Sequence, residues 1–173
     1  MKLLFTAREL NAANDAWGCN CGPSALAFAV QQPLDAVRHA LPGFQDKGYT
    51  NPTMMQAGLA FFRKTFAVVR PPKFTRGKFF SVAEMFDATP SLVRVQWDGP
   101  WCDAGANARW GYGFTHWIAT WSERGVDLVF DCNSLIVTGA QWCDEVGPQL
   151  ARTVRRSTGE WFPTHIWRLG GSA

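Results

Sequence analysis

The chain has 173 residues, of which 47% are hydrophobic and 18% charged, a balance that excludes an intrinsically disordered protein. The formal net charge of +3 is small, and the one basic cluster (Arg152, Arg155, Arg156) is predicted to be the solvated face of a helix, so no nucleic-acid partner is expected. Apolar runs are too short to cross a membrane, and no membrane partner is expected either.

Five cysteines leave at least one thiol unpaired. Residues 1–5 resemble the start of a signal peptide, but polar residues within 6–10 interrupt the apolar segment that such a peptide needs. The sequence therefore predicts a cytoplasmic protein with reduced thiols.

The first half of the chain carries mainly helix signals, such as capping residues and first-turn prolines. The predicted elements are, in order, an irregular lead-in (1–20), an apolar helix (23–30), an amphipathic helix (34–41), a helix that starts at Asn51-Pro52, a strand (66–69) and a short capped helix that starts at Ser81. Because the helix over 23–30 has a single polar residue, it is expected to be buried on all sides.

The second half changes to strand signals. The predicted elements are a strand (91–97), a long loop (98–113), a hairpin with strands at 114–121 and 126–130 that turns at 123–125, a helix (144–156) and a last strand (166–169). Helices followed by antiparallel strands predict an α+β fold in a single domain, 1–173. The cleft between the two halves is the expected functional site.

Cys21 is the candidate nucleophile, because it stands at the start of the predicted apolar helix. The dipole and the free N–H groups at a helix N-terminus stabilise an anion and so lower the pKa of a thiol. Cys19 precedes the helix and lacks this advantage, and the remaining three cysteines are interpreted as buried or incidental thiols (Cys102, Cys132, Cys143).

A cysteine nucleophile needs a base, and the chain offers three histidines. His39 is predicted on the polar face of a helix and His165 lies near the C-terminus. His116 lies within a predicted strand that is followed by acidic Asp131 at the end of the next strand. This order favours His116 as the base.

The third group depends on the register of the hairpin, which the sequence leaves open. A two-residue turn places His116 opposite Asn133, with Asp131 one step away on the same face. A four-residue turn places His116 opposite Asp131, and a three-residue turn places it opposite Cys132. Asp131 is preferred because a carboxylate orients an imidazole and stabilises its cationic form, and Asn133 is the alternative.

Residues 20–27 (Asn-Cys-Gly-Pro-Ser-Ala-Leu-Ala) resemble the nucleophile motif of papain-like cysteine peptidases, most closely the bacteriocin-processing peptidases that cleave double-glycine leaders. The resemblance spans about 14–133 and includes later segments in the same order (Gly48–Thr50, Leu92–Val95, Thr115–Ile118, Val129–Asp131). It implies a papain-like fold in which a central nucleophile helix packs on a C-terminal antiparallel sheet, with Cys21 as nucleophile, His116 as base and Asp131 as orienting residue.

The family also uses a side-chain amide upstream of the cysteine, usually Gln, to complete the oxyanion hole. This chain has no Gln there; Asp15 occupies the expected position, and Asn14 is the predicted substitute. The Gly170-Gly171 pair resembles a double-glycine cleavage site, although a flexible tail explains it more simply.

These residues predict a thiol hydrolase that acts on a peptide or isopeptide bond of a protein or peptide substrate. The same thioester would also serve deamidation or transglutaminase-like acyl transfer, and the missing Gln keeps open a catalytically inactive binding or inhibitor protein. A zinc site built from the cysteines and His116 is a further hypothesis, but the paired Cys-x-x-Cys spacing of such sites is missing. We therefore expect neither a metal nor a cofactor.

Overall fold

A computed structural model describes residues 1–69, 80–103 and 113–170. The helices are α1 (Ala7–Trp17), α2 (Cys21–Val30), α3 (Leu34–Val37), α4 (Phe44–Lys47), α5 (Pro52–Phe61), α6 (Gly139–Gln141) and α7 (Gly147–Thr153), with a π-helical turn (Trp142–Val146) between the last two. The strands are β1 (Phe66–Val69), β2 (Ser91–Trp97), β3 (Thr115–Glu123), β4 (Val126–Asp131), β5 (Leu135–Thr138) and β6 (Trp161–Leu169), and short 3₁₀ turns occupy Val82–Met85 and Pro100–Cys102.

In the described part of the chain, the strands form one antiparallel sheet in the order β1-β6-β2-β3-β4-β5. Successive strand residues point to opposite faces, so neighbours such as Trp117 and Ile118 on β3 belong to two separate hydrophobic clusters. One cluster joins the sheet to α1, α2 and α5, and the other joins it to the segment from α6 to α7. The mixed α+β class predicted from the sequence is confirmed.

Helix α2 is buried along almost its whole length, from Gly22 to Val30, as its apolar sequence predicts. Asn20 caps its N-terminus, since the side-chain Oδ1 accepts a hydrogen bond of 3.2 Å from the Gly22 N–H. The helix packs mainly against β3, with further contacts to β2 and β4. Its first residue, Cys21, is thereby held beside the strand that carries His116.

Several predicted elements differ from the structure. No helix is predicted within the lead-in (1–20), but 7–17 form α1. This helix starts at a capping box between Thr6 and Glu9. The predicted length of the amphipathic helix over 34–41 is wrong, because α3 ends at Val37 and the chain turns before Pro42. The capping box at Ser81 is present, but it starts a 3₁₀ turn.

Differences in the second half concern boundaries and one missed strand. The helix predicted at 144–156 begins earlier, at Gly139, and ends at Thr153. Strand β5 was not predicted, and β6 starts at Trp161 and lies inside the sheet between β1 and β2. Part of the predicted 98–113 loop, 104–112, lies outside the described residues, as does the tail beyond Gly170. None of the described helices is long and apolar enough to cross a membrane.

Candidate active site

Cys21 is the first residue of α2 and is partly exposed. A first-turn N–H has no intrahelical acceptor, so the backbone N–H of Cys21 is free of the helix's own hydrogen bonds. Burial raises the pKa of this thiol, and the nearby backbone N–H of Trp117 on β3 is among the groups that lower it. The thiol is therefore held between the helix N-terminus and the neighbouring strand.

His116 lies on β3 and is only 7% exposed. Its Nε2 donates to the Oδ2 of Asp131 at 2.9 Å, which leaves Nδ1 as the ring nitrogen that is not bonded to Asp131. The ring also lies close enough to the Cys21 thiol for each group to shift the pKa of the other. The ring stacks on Trp97 of β2, with 5.5 Å between centroids and 25° between planes. Asp131 is thus hydrogen-bonded to His116, and His116 interacts electrostatically with the Cys21 thiol.

Asp131 closes β4 and is completely buried. Its Oδ1 accepts from the backbone N–H and the side-chain Nδ2 of Asn133, at 2.8 and 2.9 Å. Its Oδ2 accepts from the Trp142 Nε1–H at 2.8 Å as well as from His116. Four hydrogen bonds compensate for burying the charge, and they fix the plane of the carboxylate.

The register follows from a two-residue turn, Arg124-Gly125, flanked by the pair Glu123 and Val126. This is the first of the three registers considered from the sequence. His116 lies diagonally from Asp131 on the same face, within hydrogen-bonding reach.

The charges of the three groups support one another. Burial by itself raises the pKa of Cys21, but the neighbouring His116 more than offsets this and lowers it below the ordinary value. Burial lowers the pKa of His116, but the Asp131 carboxylate and then Cys21 raise it well above the usual range. Burial also raises the pKa of Asp131, and His116 outweighs it in the opposite direction. The site therefore favours a thiolate–imidazolium ion pair over the neutral pair.

No other cysteine has this environment. Burial raises the pKa of Cys19 to about 12 and that of Cys143 to about 11. It raises the pKa of Cys132 further, with the nearby Cys21 sulfur adding to the effect. Cys102 is exposed, so of the two alternatives given for it, buried or incidental, only the second applies, and burial of part of the residue also raises its pKa.

The other two histidines lie in different surroundings. His39 is exposed beyond the end of α3. His165 is half-buried on β6, and burial together with the charge of Arg94 lowers its pKa to about 4. Its Nδ1 is hydrogen-bonded to the Thr164 hydroxyl, and among the described residues it makes no hydrogen bond to Cys21 or Asp131.

Asn14 lies on the exposed side of α1, and its Nδ2 donates to the backbone oxygen of Cys19 at 3.0 Å. This contact fixes the connection between α1 and α2. Asn14 does not line the cavity beside Cys21. Its role as an oxyanion donor stays a prediction, without a contact that supports it.

A cavity of about 350 Å³ opens beside the nucleophile. Neutral side chains and backbone line it in the described part of the chain (Asn20, Cys21, Tyr49, Thr50, Gly113, Thr115, Trp117). Tyr49 is half-exposed at this site. A neutral, partly aromatic cavity beside the Cys21 thiol suits an uncharged segment of a ligand.

Sequence reasoning missed Trp142 and the supporting role of Asn133. Trp142 lies in the π-helical turn, a local widening of the helix that often occurs at functional sites. Nothing in the local sequence marks that turn. The position of Asn133 two residues after Asp131 is a common Asx-turn arrangement and was the available signal.

Among the described residues, one group has ligand atoms close enough for a metal ion: His116, Asp131 and Cys132. Both Asp131 oxygens already accept two hydrogen bonds each, and His116 Nε2 is one of those donors. An ion bound to Asp131 would have to displace these donors. The residues present therefore fit an acid–base relay better than a metal centre.

The chain matches no protein-family model, and no curated protein shows significant sequence similarity to it.

Proposed function

We propose that this protein is a papain-like cysteine hydrolase that cleaves a peptide or isopeptide bond through a thioester on Cys21. The observation that carries the proposal is the placement of the Cys21 thiol beside His116, which is hydrogen-bonded to buried Asp131 at 2.9 Å. The α+β architecture supports it, since the cysteine starts a buried helix and the other two groups come from adjacent antiparallel strands.

The reaction follows from the charges of the site. The Cys21 thiolate attacks the scissile carbonyl carbon, and the tetrahedral intermediate collapses when His116 Nδ1 gives its proton to the leaving amine. The neutral His116 then takes a proton from water, whose oxygen attacks the thioester. The acid leaves, and the thiolate–imidazolium pair is restored.

The proposed substrate is a protein or peptide, with an uncharged segment in the cavity beside Cys21. We place the protein in the cytoplasm, where a low-pKa thiol stays reduced.

The first test is the alkylation rate of each cysteine by iodoacetamide as a function of pH, read by peptide mass spectrometry. Cys21 should react fastest, with an apparent pKa below the ordinary thiol value of about 8.5. Cys102 is the matched control because it is more exposed than Cys21 and no basic group among the described residues lowers its pKa. Faster alkylation of Cys102 than of Cys21 at neutral pH would contradict an activated nucleophile.

The second test asks whether His116 is the base. His116→Ala should slow alkylation of Cys21 at pH 6–7, because the imidazolium no longer stabilises the thiolate. His165→Ala is the control, since it removes a half-buried histidine that is hydrogen-bonded to neither Cys21 nor Asp131 among the described residues. Acylation by p-nitrophenyl acetate, seen as an acetyl group on Cys21 in the denatured protein, should fall in parallel. Equal rates in the wild type and His116→Ala would remove His116 from the mechanism.

A further inference from the structure

The proposed hydrolase lacks an assigned second donor for the oxyanion. When the thiolate attacks, the substrate carbonyl oxygen becomes negative, and hydrolases of this kind hold it with two or more preorganised donors. The backbone N–H of Cys21 is one donor. The Asn14 amide, the candidate from the sequence, donates to the Cys19 oxygen and does not line the cavity.

Thr50 lies directly against the first turn of α2. A Cβ placed on Gly22 would be 1.9 Å from Thr50 Oγ1, so the threonine side chain fills the space that the glycine leaves. Thr50 is 8% exposed and lines the same cavity as Cys21. Among the described residues, its hydroxyl makes no hydrogen bond, so its proton is available to a group in the cavity.

The segment that carries Thr50 is held on both sides of the site. The Trp117 Nε1–H donates to the Thr50 backbone oxygen at 3.3 Å, and Trp117 is the neighbour of His116. The Asn20 Nδ2 donates to the backbone oxygen of Gly48 at 3.0 Å. The backbone that carries the hydroxyl is thus held by the residue that caps the nucleophile helix and by the neighbour of the base, and packing against Gly22 holds the side chain. Charge stabilisation requires such preorganisation.

We propose that the Thr50 hydroxyl, together with the Cys21 N–H, forms the oxyanion hole. This proposal rests on the proposed function. As sulfur bonds to the carbonyl carbon, the C=O π electrons move onto oxygen, and the Thr50 O–H donates a hydrogen bond to that oxygen without losing its proton. When the amine leaves, the C=O bond reforms. Gly22 is needed because any larger residue would displace Thr50.

The experiment compares Thr50→Val, Thr50→Ser and Asn14→Ala in two reactions of Cys21. Alkylation by iodoacetamide needs the thiolate but forms no oxyanion, whereas acylation by p-nitrophenyl acetate forms one. Thr50→Val keeps the shape that packs on Gly22 and should lower acylation by about 10²–10³-fold. It should leave alkylation unchanged. Thr50→Ser retains the hydroxyl and should recover most of the acylation rate.

Three outcomes would overturn the proposal. In the first, Thr50→Val acylates as fast as the wild type. In the second, Thr50→Ser is as slow as Thr50→Val. In the third, Asn14→Ala shows the large loss in acylation while Thr50→Val does not, which would assign the donor to Asn14. Failure of the proposed function looks different, because wild-type Cys21 would then show neither fast alkylation nor acylation.

Discussion

The two sides of the active site are built in different ways. The nucleophile side is local: Asn20, Cys21 and Gly22 set up the helix N-terminus among themselves, and the thiol emerges from the first turn. The acid–base side is assembled from β3, the end of β4 and the π-helical turn, so that His116 and Trp142 both donate to Asp131. One side of the candidate site therefore depends on contacts between neighbouring residues, and the other on contacts between residues 11 and 15 positions apart.

Removing the proposed nucleophile, on the helix side of the site, has the largest expected effect. Cys21→Ala should reduce acylation by p-nitrophenyl acetate to the uncatalysed background, because no other thiol has a lowered pKa. Cys19→Ala is the control and should retain the activity of the wild type. Equal loss in both variants, measured on folded protein, would refute the assignment of Cys21.

Removing the distant charge should have the next largest effect. Asp131→Asn leaves an amide opposite three donors, from Asn133 and Trp142, and removes the charge that holds His116 protonated. We expect acylation to fall by about 10³-fold and the apparent pKa of Cys21 alkylation to rise toward about 8.5.

The matched control for this change is Asp127→Asn, an exposed carboxylate on the same strand. It should leave both rates unchanged. If Asp131→Asn also left the alkylation profile unchanged, the helix N-terminus alone would account for the reactivity of Cys21.

Trp142→Phe removes one donor from the buried carboxylate and should have an intermediate effect. A hydrogen bond to a charged group contributes about 1.5–3 kcal/mol, so we expect a loss of about tenfold or more in acylation at neutral pH. The Trp142 donor lowers the pKa of Asp131, and without it the carboxylate protonates at a higher pH. The loss should therefore grow as the pH falls toward about 4.

Trp161→Phe is the control, because that ring packs edge-to-face on Trp142 at 4.8 Å. It should lower the free energy of unfolding without changing the pH profile. The same pH profile in both variants would show that Trp142 acts only through packing.

Asn133→Ala should have the smallest effect and distinguishes the two candidates for the third residue. The backbone N–H of Asn133 still donates to Asp131 after the change, so only the 2.9 Å side-chain bond is lost. We expect a loss of about three- to tenfold in acylation, from about 0.5–1.5 kcal/mol. A larger loss than in Asp131→Asn would make Asn133 the residue that orients His116.

The sequence predicted the buried helix that Cys21 begins, because capping and helix burial are local. Asn20, Pro23 and the apolar residues after them determine where α2 begins, and few other arrangements satisfy them. The capping box of Thr6 and Glu9 is a local signal of the same kind, and it marks the start of α1. The hairpin that carries His116 was also predictable, since its strands alternate and contain β-branched residues.

The sequence alone determined the helix N-terminus at Cys21, the order of helices before strands and the three chemical groups available to a triad. Tertiary structure decided which groups meet. The turn takes two residues, with positive φ of 53° at Arg124 and 78° at Gly125, so that His116 lies diagonally from Asp131. The hydrogen bond of His116 is made to Asp131, and Asn133 donates to the same carboxylate. Trp142 and Thr50 reach the site from segments distant along the chain, through packing and backbone hydrogen bonds that involve residues many positions apart. Local patterns cannot encode such contacts, because their free energy comes from burial that exists only in the folded protein.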